Sequence, residues 1–212
     1  RELGKFLMDG SLYRGTKPVM WSPVEKTALA EAEIEYHDHT STTIYVRFPI
    51  AKASQPEIEA AAIVIWTTTP WTVPSNTGLA VHPDLTYVDV QYEGRRLVLA
   101  EERLEAVLAD GVEVVRRYKG SELAGTRYAR PLEVVPVPVV PAPDDPGNGW
   151  TVITEDFVSA EDGTGIVHIA PAFGSDDYAA GQRHDLPMLR PVDDAGLFVE
   201  GTELVAGVFV KD

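Results

Sequence analysis

From Thr42 onward the chain alternates apolar and polar positions with the period of a β-strand. In "TTIYVRFPIA", Ile44, Val46, Phe48 and Ile50 fall on one face and Thr43, Tyr45 and Arg47 on the other. "AAIVIW" is apolar throughout, which predicts a strand buried on both faces. "GLAV" reads as a short strand closed by His82-Pro83-Asp84, and "YVDVQYEGRRLVLA" as a hairpin turning at Glu93-Gly94. "AEERLEAVLADG" predicts a helix with Leu104, Val107 and Leu108 on one face and Gly111 just past its end. "GVEVVRRY", "WTVITEDFV" and "GTGIVHIA" follow as strands, the last two around a turn at Gly163. "SDDYAAGQRHDL" predicts a short helix capped by Ser175 or Asp176, and "LFVEG" one more short strand. Prolines recur through "VVPVPVVPAPDDPGNG" and limit it to an edge strand plus an exposed loop. Residues 1–41 read as an arm: a short helix ending near Gly10, an extended "KPVMW", and "TALAEAEIEY", whose helix formers sit between extended segments and leave both states open. Many short strands with few helices predict a mainly β domain, a closed β-barrel of the six-stranded type with a few short peripheral helices.

Composition narrows the function classes. A chain of 212 residues is sized for one compact domain with flanking arms. Cysteine is absent, so disulfides, thiolate metal sites and cysteine nucleophiles are excluded. No apolar run approaches the roughly 20 residues of a membrane span, and a cytoplasmic location is expected. The opening "RELGKFLMDG" has neither an initial Met nor a signal-peptide core, as expected of an excised or trimmed piece. Few Asn and Gln beside 16 prolines point toward a thermophilic source. The net charge of -15 opposes broad contact with a phosphate backbone, while leaving room for one or two nucleotides at a local site.

Two stretches carry candidate chemistry. In the first, Trp66 to Thr72, Pro70 ends a strand and leaves Thr67, Thr68, Thr69 and Thr72 to offer hydroxyls beside freed backbone amides. That set suits a neutral, hydroxyl-rich ligand such as a ribose or an ester; strand propensity alone also accounts for so many threonines. In the second, "GTGIVHIAPAFGSDDY", alternation puts His168 on a face with Ile166 and Ala170, and Asp176 and Asp177 open a helix. A hydrogen-bonded core histidine and a pair of capping acids are the structural alternatives. His168, Asp176, Asp177, His184 and Asp185 form a possible metal cluster, but their spacing fits no zinc-hydrolase motif, and no metal site is expected. His37 and His39 are expected to be solvated. No nucleophile-elbow serine, phosphate-binding loop or dinucleotide fingerprint is present.

Together "WTTTPWTVPSN" and "GTGIVHIAPAFGSDDY", with the flank "LYRGTKPVMWSPVEKTALAEAEIEY", resemble the editing (CP1) domains of the isoleucyl-tRNA synthetase family. Valyl and leucyl members carry an Arg after the paired threonines, whereas Thr69 stands here. Members often have Cys near "MWSP", where this chain has Ser22 and Pro23. The resemblance implies a proofreading hydrolase that clears valine from tRNA(Ile), with valyl-adenylate a further candidate substrate. One methylene is discriminated by only roughly 1–3 kcal/mol in an apolar pocket, a figure for which isoleucine against valine is itself the standard example. A second pocket that admits valine and excludes isoleucine solves that problem. The resemblance assigns the substrate ammonium to Asp177. It gives the ribose, ester and water to Thr67, Thr68, Thr69 and Thr72, the floor of the side-chain pocket to His168 and a wall to Trp66. It implies no cofactor for editing. Its partners are the valylated 3′ CCA end of tRNA(Ile) and the other domains of the same synthetase, with a monomer expected. It also implies a connecting arm over 1–41, an editing barrel over 42–205 and a return to the synthetase core over 206–212. A non-catalytic β-barrel that binds a nucleotide or peptide and a metal-dependent esterase are the competing readings.

Overall fold

The computed structural model describes residues 2–109, 111–135 and 147–212. The arm holds helix α1 (Glu2–Met8), a two-residue hairpin of β1 (Trp21–Ser22) with β2 (Thr27–Ala28), and a 3-10 turn at Glu31–Glu33. The extended segment predicted at "KPVMW" therefore narrows to its last residue and Ser22, and "TALAEAEIEY" divides between strand and 3-10 turn. The rest of the chain forms β3 (Ile44–Lys52), β4 (Ala62–Thr67), β5 (Gly78–Val81), β6 (Thr86–Tyr92), β7 (Arg95–Ala100), β8 (Glu113–Lys119), β9 (Arg127–Tyr128), β10 (Thr151–Thr154) and β11 (Val167–Ile169). Helices α2 (Leu104–Val107), α3 (Gly120–Leu123) and α4 (Ser175–Arg183) lie between and after them. No helix among the described residues is long and apolar enough to cross a membrane.

The nine strands from β3 on share one mixed sheet in the order β11-β5-β10-β9-β3-β4-β7-β6-β8, with β5–β10 and β4–β7 parallel and the other pairs antiparallel. The expected barrel does not close: among the described residues β11 and β8 remain the two edges of an open sheet. Closure needs the last strand to pair with the first along a matching length. Strand β11 is three residues long and runs into Pro171, which cannot donate to a ladder. The sheet nevertheless curls far enough to pack β11 against β4.

Burial follows the sequence pattern where that pattern is strong. Phe48 and Ile50 of β3 point inward with Ile63 and Ile65 of β4, while Val64 points to the opposite side and joins Val88, Val90, Leu97 and Leu99. Both faces of β4 are covered, which is why its sequence shows no polar alternation. The hairpin turns at Glu93 and Gly94, both left-handed with φ of 47° and 76°. Leu104, Val107 and Leu108 cover the second apolar layer as predicted, but from a 3-10 turn (Glu101–Arg103) and one turn of α2 rather than a full helix. "LFVEG" makes no strand of its own and contributes two isolated bridges, Val192–Phe198 and Leu197–Phe209. Most of the proline-rich stretch, residues 136–146, lies outside the described residues.

Candidate active site

Strand β4 stops at Thr67, and Pro70 sits in the first turn of a 3-10 helix, Pro70–Ser75. Proline is suited there because its missing N–H has no helical acceptor to lose. The reversal folds the threonines onto one another. The Thr69 amide donates to Thr67 Oγ1 at 3.1 Å, and Thr69 Oγ1 lies 3.2 Å from Thr67 Oγ1 and 3.3 Å from Thr72 Oγ1. Thr67 and Thr72 are buried, whereas Thr68 is exposed and its carbonyl accepts the Ser41 hydroxyl at 3.0 Å.

The second stretch arrives from the far edge of the curled sheet. His168 on β11 pairs in register with Leu79, and Ile166, His168 and Ala170 are buried while Val167 is exposed. His168 Nε2 meets Thr72 Oγ1 at 2.9 Å, joining residues 96 positions apart. The Thr72 hydroxyl has one proton and donates it to the Thr69 carbonyl at 2.8 Å. It must therefore accept from His168, which places the ring proton on Nε2 and leaves the buried Nδ1 as a lone pair without a partner among the described residues. Burial pulls the imidazole pKa down to about 4, so the ring is neutral near pH 7.

Helix α4 begins at Ser175 with Gly174 as its N-cap, so neither Ser175 nor Asp176 is the capping residue expected from sequence. Asp177, in the first turn, reaches back out of the helix: its Oδ1 accepts the Ala170 amide at 2.8 Å. A Cβ on residue 174 would collide with the same carboxylate, so glycine at this position leaves it room. Burial raises the Asp177 pKa above its ordinary value; the amides of Ala170 and Asp177 pull it back, and the charge of Asp176 pushes it up again. Asp176 itself is exposed. At the other end of α4, buried Glu155 takes the Arg183 guanidinium at 2.5 Å and His184 Nε2 at 3.0 Å. His184 thus serves a different cluster from His168. No group of three or more His, Asp or Glu side chains among the described residues is placed to hold a metal ion. His37 and His39 are exposed, as expected.

These parts enclose a cavity of about 550 Å³. Trp66, Thr67, Thr68, Thr69, Thr72, His168 and Asp177 all line it, whereas Asp176, His184 and Asp185 do not. That volume is in the usual range for a small-molecule site. Its charged lining groups are the carboxylates of Asp162 and Asp177, an arrangement that favours a cationic ligand group over a phosphate. Sequence reasoning missed Phe157, Ser159 and Asp162, which approach from the β10–β11 connection. Nothing in their local pattern separates them from an ordinary loop. It also left out Trp71 and Phe173, which stand inside the two motifs and were legible by position.

Comparison with known proteins places the chain in a family. A family model described as tRNA synthetases class I (I, L, M and V) matches residues 1–203. The chain belongs to this family. Curated relatives of this class I chain include the isoleucine–tRNA ligases of Gluconobacter oxydans (42% identical over 229 residues), Fervidobacterium pennivorans (43% over 207) and Carboxydothermus hydrogenoformans (43% over 213). Those alignments cover 99%, 96% and 99% of this chain but 22%, 21% and 22% of the relatives. The chain thus spans about a fifth of their length. Among solved structures it is similar to the GlLeuRS-CP1 domain, with a TM-score of 0.49 at 18% identity over 66% of this chain and 59% of that one. The Plasmodium knowlesi cytosolic leucyl-tRNA synthetase editing domain gives 0.49 at 12% identity over 72% and 67%.

Proposed function

We propose that this class I synthetase chain is an editing domain that hydrolyses the valyl ester of tRNA(Ile) and rejects the isoleucyl ester, with no metal cofactor. The observation that carries the reading is the meeting of the two motifs in one cavity, with threonine hydroxyls at one end and the half-buried Asp177 carboxylate at the other. Asp177 takes the substrate α-ammonium: its free lone pairs and low-dielectric setting favour a cationic donor, and the ammonium in turn favours the ionised carboxylate that burial disfavours. Thr67, Thr68, Thr69 and Thr72 contact the terminal ribose, the ester and the attacking water, and Trp66 walls the site. His168 limits side-chain depth. Its Nε2 is committed to Thr72 and its basicity is low, so it is poorly suited to take a proton from water near pH 7.

Only the 3′ CCA end needs to enter, which reconciles a net charge of -15 with an RNA substrate. The rest of the tRNA is gripped by other parts of the synthetase, to which residues 1–41 and 206–212 connect the domain over 42–205. The enzyme works as a cytoplasmic monomer. Deacylation of Val-tRNA(Ile) and Ile-tRNA(Ile), each with and without EDTA, tests this directly. The expected result is chelator-insensitive release of valine and little release of isoleucine. Loss of activity in EDTA with rescue by zinc makes the chain a metal-dependent esterase, and tRNA binding without turnover makes it a binding module.

A further inference from the structure

The wall of the cavity opposite the threonines is irregular. Residues 155–166 join β10 to β11 without a helix or strand. Gly163 and Gly165 are both left-handed, with φ of 60° and 71°, and the Trp66 ring packs on Gly163 so closely that a Cβ there would lie 3.2 Å from it. Such a segment has no ladder of its own to hold it. Its carbonyls are instead taken by donors from elsewhere. The Arg103 guanidinium donates from Nη1 to the Glu161 carbonyl at 2.9 Å and from Nε to the Gly163 carbonyl at 3.0 Å. The Ala100 amide takes the Thr164 carbonyl at 2.9 Å, and the buried Tyr87 hydroxyl takes that of Gly165 at 2.9 Å. None of these three donors lines the cavity. Ala100 N and Tyr87 belong to the paired strands β7 and β6, whereas Arg103 acts through a side chain from the 3-10 turn beyond β7.

We infer that Arg103 is a positioning residue: by bridging Glu161 and Gly163 it holds the Gly163 turn against Trp66 and so sets the width of the cavity. A planar guanidinium spans two carbonyls in one geometry, which a lysine ammonium does not reproduce. The consequence for editing, but not the latch itself, rests on the function proposed above.

Two measurements separate the ideas. The first needs no substrate: amide hydrogen exchange of the 159–167 segment in Arg103→Ala and Arg103→Lys, against Arg117→Ala, which removes an exposed ion pair with Glu101 of the same 3-10 turn. Exchange in that segment rises about tenfold or more in both Arg103 variants, while β3 and β4 keep their protection and Arg117→Ala changes nothing in the segment. The second is deacylation kinetics. KM for the valyl ester rises about tenfold in Arg103→Lys with kcat within a few-fold, the pattern of a loosened binding wall. Unchanged exchange at 159–167 overturns the latch, and so does an equal rise across the whole domain in Arg103→Lys, because Arg103 then supports stability alone. If Arg103→Ala fails to fold, Arg103→Lys decides. If the unmutated chain has no deacylase activity, the functional reading fails while the exchange result still judges the latch.

Discussion

Acidification should destabilise this domain through His168, by an amount the structure sets. An unfolded histidine titrates near 6.5, and burial holds the folded ring at about 4. Between those values the unfolded chain binds more protons than the folded one, so stability rises with pH across the window. It is complete above about 6.5 and is lost as pH falls toward 4. The full gap is worth about 3 kcal/mol, and about 2.5 kcal/mol is already lost near pH 4.5. Other carboxylates titrate in the same range, so the comparison needs a variant blind only to this proton. His168→Gln cannot titrate and keeps an N–H donor within reach of Thr72 Oγ1. Urea unfolding of both proteins, followed by circular dichroism at about pH 7.5 and about pH 4.5, gives a difference of differences. The unmutated chain should lose about 2–3 kcal/mol more than His168→Gln on acidification. Parallel losses would mean that His168 titrates as it does in the unfolded chain, and the argument against its serving as a cation or a strong base would fall with it.

Asp177→Asn keeps an oxygen for the Ala170 amide and removes the charge, so turnover efficiency on the valyl ester should drop roughly ten- to a hundredfold or more. The same change should stabilise the domain at neutral pH. A carboxyl held above its ordinary value loses folded-state stability as pH rises through its titration range, so equal activity and unchanged urea midpoints would refute both halves. His168→Ala should start to release isoleucine while keeping much of its activity on valine; a parallel loss of roughly 10²–10⁴ on both esters, with no gain on isoleucine, would mark a general base instead. Gly165→Ala should cost about 2 kcal/mol or more in denaturant unfolding, because a Cβ at a φ of 71° is strained and would overlap Ala100; a neutral result would show that the β10–β11 connection yields freely.

Strand and hairpin periodicities were readable locally because each depends on neighbours a few residues away. β3, β4 and the β6–β7 hairpin appear where alternation, an unbroken apolar run and Glu93-Gly94 predict them. The threonine cluster around Pro70 and the His168 and Asp177 of the second motif were legible as candidate chemistry from their residue types, although each also had a structural reading. What no local pattern carries is closure and meeting. Whether the sheet becomes a barrel depends on the length of its two edges, and a three-residue β11 ahead of Pro171 leaves it open. The N-cap of α4 falls at Gly174 rather than Ser175 or Asp176, and Asp177 in the first turn accepts the Ala170 amide, seven residues back. His168 became a neutral donor only when curling of the sheet buried it against Thr72. Arg103 shows nothing in sequence but a basic residue near a helix start, and only the path of residues 155–166 gives its guanidinium two carbonyls to bridge. Sequence determined which groups are available. Contacts across long separations, whose loop-closure entropy is offset by the whole core at once, decided which of them face one cavity and in which protonation state.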